Sequence, residues 1–139
     1  MNMMLTASII GLAVVVGSVE AAHATDLKSR IKVEKSYEGL HPGVDPGLYV
    51  CAGSHLHVKG TVQNLSNVTL ASVTIEGRAY DGAGTLLGTA RPARKSPPLV
   101  ALKPGEKREF DLEFLAVTGP KIQEAKRQEI VVIEVTPER

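Results

Sequence analysis

Between residues 55 and 64, apolar and polar positions alternate without a break. Leu56, Val58, Gly60 and Val62 share one face, and His55, His57, Lys59, Thr61 and Gln63 share the other. A period of two predicts a strand that buries its apolar face and turns the other to solvent. The same period recurs at Phe110, Leu112 and Phe114, which alternate with Glu109, Asp111 and Glu113. It recurs over residues 69–80, where Ala71, Val73, Ile75, Gly77 and Ala79 oppose Ser72, Thr74, Glu76, Arg78 and Tyr80. Ile31 and Val33 make 30–35 a shorter candidate, and 85–91 reads as a returning strand. Residues 130–135 are apolar on both faces at Val131, Val132 and Ile133, which predicts a central strand.

Turn chemistry separates these runs. Asn64, Ser66 and Asn67 form one turn by composition, and Asp81-Gly82-Ala83-Gly84 supplies residues that tolerate positive φ in a hairpin. Pro92, Pro97 and Pro98 end the returning strand, and Pro104-Gly105 suits the centre of a tight turn. Residues 119–128 form a polar connection with room for one helical turn around 122–126. Residues 39–47 hold two prolines and three glycines, which predicts a loop. Six or seven strands at short spacing, with no long amphipathic helix, predict an all-β protein built as an antiparallel β-sandwich.

Three pieces of the pattern carry a family resemblance. Gly60-Thr61-Val62-Gln63-Asn64 reads as G-x-V-x-N, Tyr80-Asp81 with Gly84 as Y-D-x-x-G, and Leu102-Lys103-Pro104-Gly105-Glu106 with Phe110 as L-x-P-G-E-x-x-x-F. In this order and spacing they resemble the FxLYD domains. Gly77 and Ala79 stand where that family has its eponymous Phe and Leu, so other side chains must fill the core there. The resemblance spans residues 55–116. It implies an immunoglobulin-like sandwich of exported prokaryotic proteins, with no catalytic residues to carry over and an interaction or accessory role.

The N-terminus changes the picture of where the domain begins. Residues 5–19 are apolar or small, and Ala22-His23-Ala24 is an A-x-A-type cleavage site. That pattern predicts a signal peptide over 1–24 and a single domain over 25–139 in a periplasmic or extracellular setting. The run is short for a membrane anchor, which needs about 20 residues. No Lys or Arg precedes it, so the α-amino group supplies the only positive charge there.

Composition narrows the function classes. Sixteen Lys+Arg against 15 Asp+Glu leaves no strongly basic face for nucleic acid. Aromatics at 4% and the absence of Trp remove the stacking platforms that sugars or single-stranded bases need. A lone cysteine excludes an internal disulfide, so the core must hold the fold. Nothing in the sequence calls for an organic cofactor.

Candidate chemistry gathers in residues 49–57. Cys51, His55 and His57 are metal-ligating types, and His-x-His on a strand puts both imidazoles on one face, a geometry suited to copper or zinc. Lys59 lies next along that face and opposes a cation. The segment has no acidic residue, and His41 from the 39–47 loop is the candidate fourth ligand. All three methionines lie in the first four residues, so cleavage removes the thioether that copper sites use. For a Cys–His catalytic pair, an extended chain puts His55 and His57 about 13 and 20 Å from Cys51, and only a sharp turn at Gly53 brings them together. Glu109, Asp111 and Glu113 read as a solvated face.

Two surfaces are candidates for partner binding. Leu40 and Val44 lie on the constrained 39–47 loop, a typical recognition position. Arg91, Arg94 and Lys95, with Lys107 and Arg108, form a basic rim suited to lipid phosphates, an acidic glycan or a protein partner. The sequence therefore predicts an exported, non-catalytic accessory module that contacts an envelope or extracellular protein, with peripheral membrane contact through the basic rim. The alternatives are a periplasmic copper- or zinc-binding protein and a homo-oligomer built by edge-strand pairing through 28–37.

Overall fold

The structure is a computed structural model that describes residues 27–36 and 47–139. The expected leader, 1–24, and residues 39–46 of the expected 39–47 loop, with Leu40, His41 and Val44, lie outside the described residues. The described chain is all-β, with eight strands: β1 (Ile31–Lys35), β2 (Leu48–Val50), β3 (His55–Asn64), β4 (Leu70–Tyr80), β5 (Leu86–Pro92), β6 (Val100–Leu102), β7 (Lys107–Thr118) and β8 (Arg127–Pro137). A short helix, α1 (Pro120–Glu124), joins β7 to β8. Among the described residues, no helix is long and apolar enough to cross a membrane.

All pairings are antiparallel, and the strands follow the order β1-β3-β7-β5-β4-β6, with β2 also on β3 and β8 also on β4. β5 links the two halves: Ala90, Thr89 and Gly88 pair with β4, and Arg91 and Pro92 pair with β7. The sheet curls at that link until the β3–β7 half faces the β4–β8 half. A side chain at Gly77 on β4 would meet Phe114 Cζ of β7 at 3.0 Å, so the two inner faces are in contact. At the far end Lys35 Nζ of β1 donates to the Gln128 carbonyl of β8 at 2.8 Å, leaving the sheet nearly closed.

The core lies between these faces. Leu56, Val58 and Val62 of β3 and Phe110, Leu112 and Phe114 of β7 come from one half; Val73, Ile75 and Ala79 of β4, Ala90 of β5 and Val135 of β8 come from the other. Each large side chain buried here contributes about 1.5–3 kcal/mol. The expected inward sets of β3 and β7, and of β4 from Val73 to Ala79, are thus observed, because a strand's period of two leaves them only one way to hide from water. At the start of β4 a register shift between Leu70 and Ser72 buries Leu70 in place of Ala71.

Two glycines allow the close approach that positions the outer face of β3. A Cβ at Gly60 would lie 2.1 Å from the Glu34 carbonyl oxygen and 2.6 Å from Phe110 Cζ, so β1 packs directly over it. Gly47 has φ of +80°, and a Cβ there would lie 2.3 Å from the Lys59 carbonyl oxygen. Its own carbonyl accepts from Lys59 N at 2.9 Å, which starts β2 tight against β3.

The structure departs from the sequence reading in several places. Two three-residue strands, β2 and β6, bring the count to eight, because runs this short carry no periodicity. β8 pairs with β4 alone among the described residues, so it is an edge strand and not a central one. Its Ile133 is 39% exposed, and the doubly apolar stretch reflects partial covering. The helical turn begins at Pro120, earlier than expected, where proline's fixed φ and missing donor suit the first turn. Within 28–37, residues Ile31–Lys35 are paired to β3 of their own chain.

Candidate metal centre

Three adjacent elements build one cluster on the outer face of the β2–β3–β7 half. Register sets the partners: Tyr49 stands opposite His57, His57 opposite Glu113, and Lys59 opposite Asp111. Opposed residues in an antiparallel pair put their side chains on the same face. The alternation of β7 therefore delivers Asp111 and Glu113 to the histidines.

Cys51 reaches the same place through a sharp turn. Ser54 N donates to the Cys51 carbonyl at 2.9 Å, Cys51 N donates to the His55 carbonyl at 3.1 Å, and Ser54 takes φ of +63°. This reverses the chain at the Gly53 apex, and Cys51 Sγ lies 3.7 Å from His55 Nδ1. The long separation expected of an extended chain is overturned by this turn.

His57 is the centre of the cluster, and it is not solvent-facing as its place on the polar face predicts. It is 5% exposed. Tyr49 stacks against it with ring centroids 4.6 Å apart. His57 Nδ1 lies 2.8 Å from Asp111 Oδ1 and 2.9 Å from the Tyr49 hydroxyl oxygen. The Tyr49 hydroxyl in turn donates to Asp111 Oδ2. A carboxylate only accepts, so Nδ1 carries the proton and donates. In the neutral tautomer this selects, the lone pair is on Nε2.

That Nε2 is buried and has no hydrogen-bond partner. It faces Glu113 Oε1 at 3.6 Å, too far for a hydrogen bond. Cys51, His57 and Glu113 each present a ligand atom, all within 4.8 Å of one another. His55 Nδ1 adds a contact to Glu113 Oε1 at 3.3 Å. Burial and the hydrogen bond to Asp111 push the Tyr49 phenol above its ordinary pKa, so the Tyr49 proton stays in place and holds Asp111 toward His57.

The structure thus brings Cys51, His55 and His57 together, as their residue types suggest. The acidic members come from β7 and not from the segment itself, and His41 lies outside the described residues. Asp111 and Glu113, read as solvated, are 19% and 26% exposed at the side chain. Their shared face with His57 was visible in the alternation, but the pairing of β3 with β7 was not. Lys59 sits over the Tyr49 ring, 5.0 Å from its centroid, at the Asp111 end of the face and away from Cys51.

A Cys51–His55–Glu113 triad is a poor fit to this geometry, and His57, which does carry Asp111 on its other nitrogen, makes no hydrogen bond to Cys51 through Nε2. Cys51 Sγ and Glu113 Oε1 both approach the same nitrogen of His55. A base relaying a proton needs its orienting carboxylate on the other nitrogen.

The basic rim is divided. Arg91, Arg94, Lys95 and Lys107 are exposed. Arg108 is held inward: it pairs with Glu106 and donates to the carbonyls of Pro98 and Val100 at 2.7 and 3.2 Å. Arg108 braces the 98–106 connection, and its hydrogen bond holds Glu106 below the usual carboxylate range.

Comparison with protein-family models, curated proteins and solved structures gives no match to this chain.

Proposed function

We propose that this chain is a non-catalytic metal-binding protein whose centre is built from Cys51, His57 and Glu113, with Asp111 orienting His57. One observation carries the reading: the buried, unpartnered Nε2 of His57, aimed at Glu113 while Asp111 holds Nδ1. A carboxylate on one ring nitrogen is what fixes the tautomer of a metal-ligating histidine and raises its basicity. Without an ion, the fold leaves a buried acceptor unsatisfied, at a cost of about 1–3 kcal/mol.

The reading keeps the rest of the sequence expectation as its setting. The leader-like residues 1–24 support an exported, periplasmic or extracellular protein. The curled all-β sheet with opposed inner faces is compatible with an immunoglobulin-like sandwich of the FxLYD kind. In that setting the module serves as an accessory component, and the exposed Arg91, Arg94, Lys95 and Lys107 are the residues to offer an acidic protein or lipid surface.

The test is metal analysis of untagged protein after incubation with zinc or copper and removal of excess ion. About one bound equivalent is expected, lost in His57→Ala and in Glu113→Gln, with circular dichroism confirming that both variants fold. Wild-type protein that retains no metal would overturn the proposal.

A further inference from the structure

The geometry points to a closed, four-coordinate zinc-class centre in which His55 is the fourth ligand, beside Cys51, His57 and Glu113. The inference rests on the metal-binding reading and deepens it, because it names the ion, the coordination and the residue that completes it.

The donor spacings suit a tetrahedron. Zinc bonds of about 2.3 Å to sulfur and 2.0 Å to nitrogen or oxygen, opened to the tetrahedral angle, separate the donors by about 3.3–3.5 Å. His55 Nδ1 and Glu113 Oε1 are 3.3 Å apart, Cys51 Sγ and His55 Nδ1 are 3.7 Å apart, and His57 Nε2 and Glu113 Oε1 are 3.6 Å apart. Three of the six edges are thus within a few tenths of an ångström of ideal. Of the remaining edges, those from Cys51 to His57 and to Glu113 are within 4.8 Å, so on binding an ion these ligands draw inward and the 51–55 turn carries His55 toward His57.

That turn is built to hold both ligands. A Cβ on Gly53 would lie 3.3 Å from His55 Nδ1 and 3.7 Å from Cys51 Sγ, so the apex packs beneath the two donors. Cys51 and His55 are joined by a backbone hydrogen bond at 3.1 Å, which ties their positions to each other. β3 and β7 supply the other two ligands from a paired ladder.

The donor set selects the ion. One thiolate, two imidazoles and one carboxylate form a mixed nitrogen, sulfur and oxygen shell. Calcium and magnesium take oxygen alone, Cu(I) prefers sulfur, and Cu(II) in a His2Cys shell takes a weak, long axial donor where Glu113 supplies a strong anionic one. A tetrahedral mixed shell suits zinc, and four protein donors leave no open position for substrate, as in a structural site. On binding, Cys51 gives up its thiol proton to solvent and coordinates as thiolate, which reduces the net charge of the ion.

Cobalt(II) is the probe. Loaded into the full-length protein, it is expected to show the intense visible bands of tetrahedral coordination and a sulfur-to-cobalt charge-transfer band that Cys51→Ser removes. Zinc should displace it one for one. His55→Ala should weaken the visible bands and lower zinc affinity by more than the roughly 10- to 100-fold that losing an outer-shell partner costs. X-ray absorption of zinc-loaded wild-type protein should count one sulfur and two imidazoles, which needs no variant to fold. A tetrahedral cobalt spectrum unchanged in His55→Ala, or a single imidazole by absorption, would overturn His55 as fourth ligand while leaving metal binding standing. Wild-type protein that binds neither ion would overturn both readings.

Discussion

His57 and Asp111 meet at 2.8 Å across β3 and β7 as diagonal neighbours, nitrogen Nδ1 to oxygen Oδ1. The contact fixes which way the imidazole points and, for the neutral ring, which nitrogen keeps its lone pair. Its partner nitrogen is left facing Glu113 in a buried position. A residue that is not itself a ligand thereby decides the state of one that is.

Removing the Asp111 carboxylate should therefore weaken metal binding without removing a ligand. Asp111→Ala is expected to lower zinc affinity by about 10- to 100-fold, measured by competition with a chelating dye. The same variant leaves His57 Nδ1 and the Tyr49 hydroxyl without their acceptor. Its metal-free stability should fall by about 1–3 kcal/mol in urea unfolding.

Tyr49 binds its proton more tightly in the folded chain than in the unfolded one, because burial and Asp111 disfavour the phenolate. The stabilisation this contributes is complete below the unfolded value of about 10. It declines as pH rises from there toward the folded value. Unfolding measured from pH 8 to 11 should show a steeper loss for wild type than for Tyr49→Phe. Phenolate absorbance should likewise show one of the three tyrosines titrating late, and that phase should vanish in the variant.

Asn64 closes the β3 strand with a fully buried side chain. Its Nδ2 donates to the carbonyls of Val68 and Leu102 at 2.9 and 3.1 Å, and its Oδ1 accepts from Ser66 N at 2.9 Å and Ser66 Oγ at 2.6 Å. Asn64→Ala removes these four hydrogen bonds, only Ser66 Oγ and the Val68 carbonyl still having each other at 3.1 Å, and should cost on the order of 3 kcal/mol, read from the denaturation midpoint. Asn64→Leu should be no better, since size does not restore the partners.

Gly60→Ala should destabilise the fold by about 1–3 kcal/mol through overpacking. The added methyl would press on the Glu34 carbonyl and the Phe110 ring, and the backbone atom cannot swing away as a side-chain tip can. Hydrogen exchange should locate the change in β1, whose amides at the β3 contact should lose protection.

The strands with long alternation were legible because burial on one face repeats every second residue. His55–Asn64 and the inward sets of β4 and β7 needed nothing beyond that. Runs of three, such as Leu48–Val50 and Val100–Leu102, hold too few residues to show a period, and Val131–Ile133 looked central because partial covering of an edge strand leaves the same apolar signature. For the candidate site, Cys51, His55 and His57 were named by residue type. Tyr49, Asp111 and Glu113 lie on the right faces of their strands, yet reaching His57 depends on which strands pair and in what register.

By itself the sequence determined an all-β chain, the inward faces of its long strands, and a cysteine and two histidines within seven residues of each other. Those properties are local, set by side-chain alternation and by where glycine and proline fall. Only the tertiary structure decided that β7 lies beside β3, that the 51–54 turn folds Cys51 back onto His55, and that His57 is buried with one nitrogen held and the other unpartnered. Register is a sum over contacts distant in the chain, and a slip of one residue would have sent Asp111 and Glu113 to the opposite face.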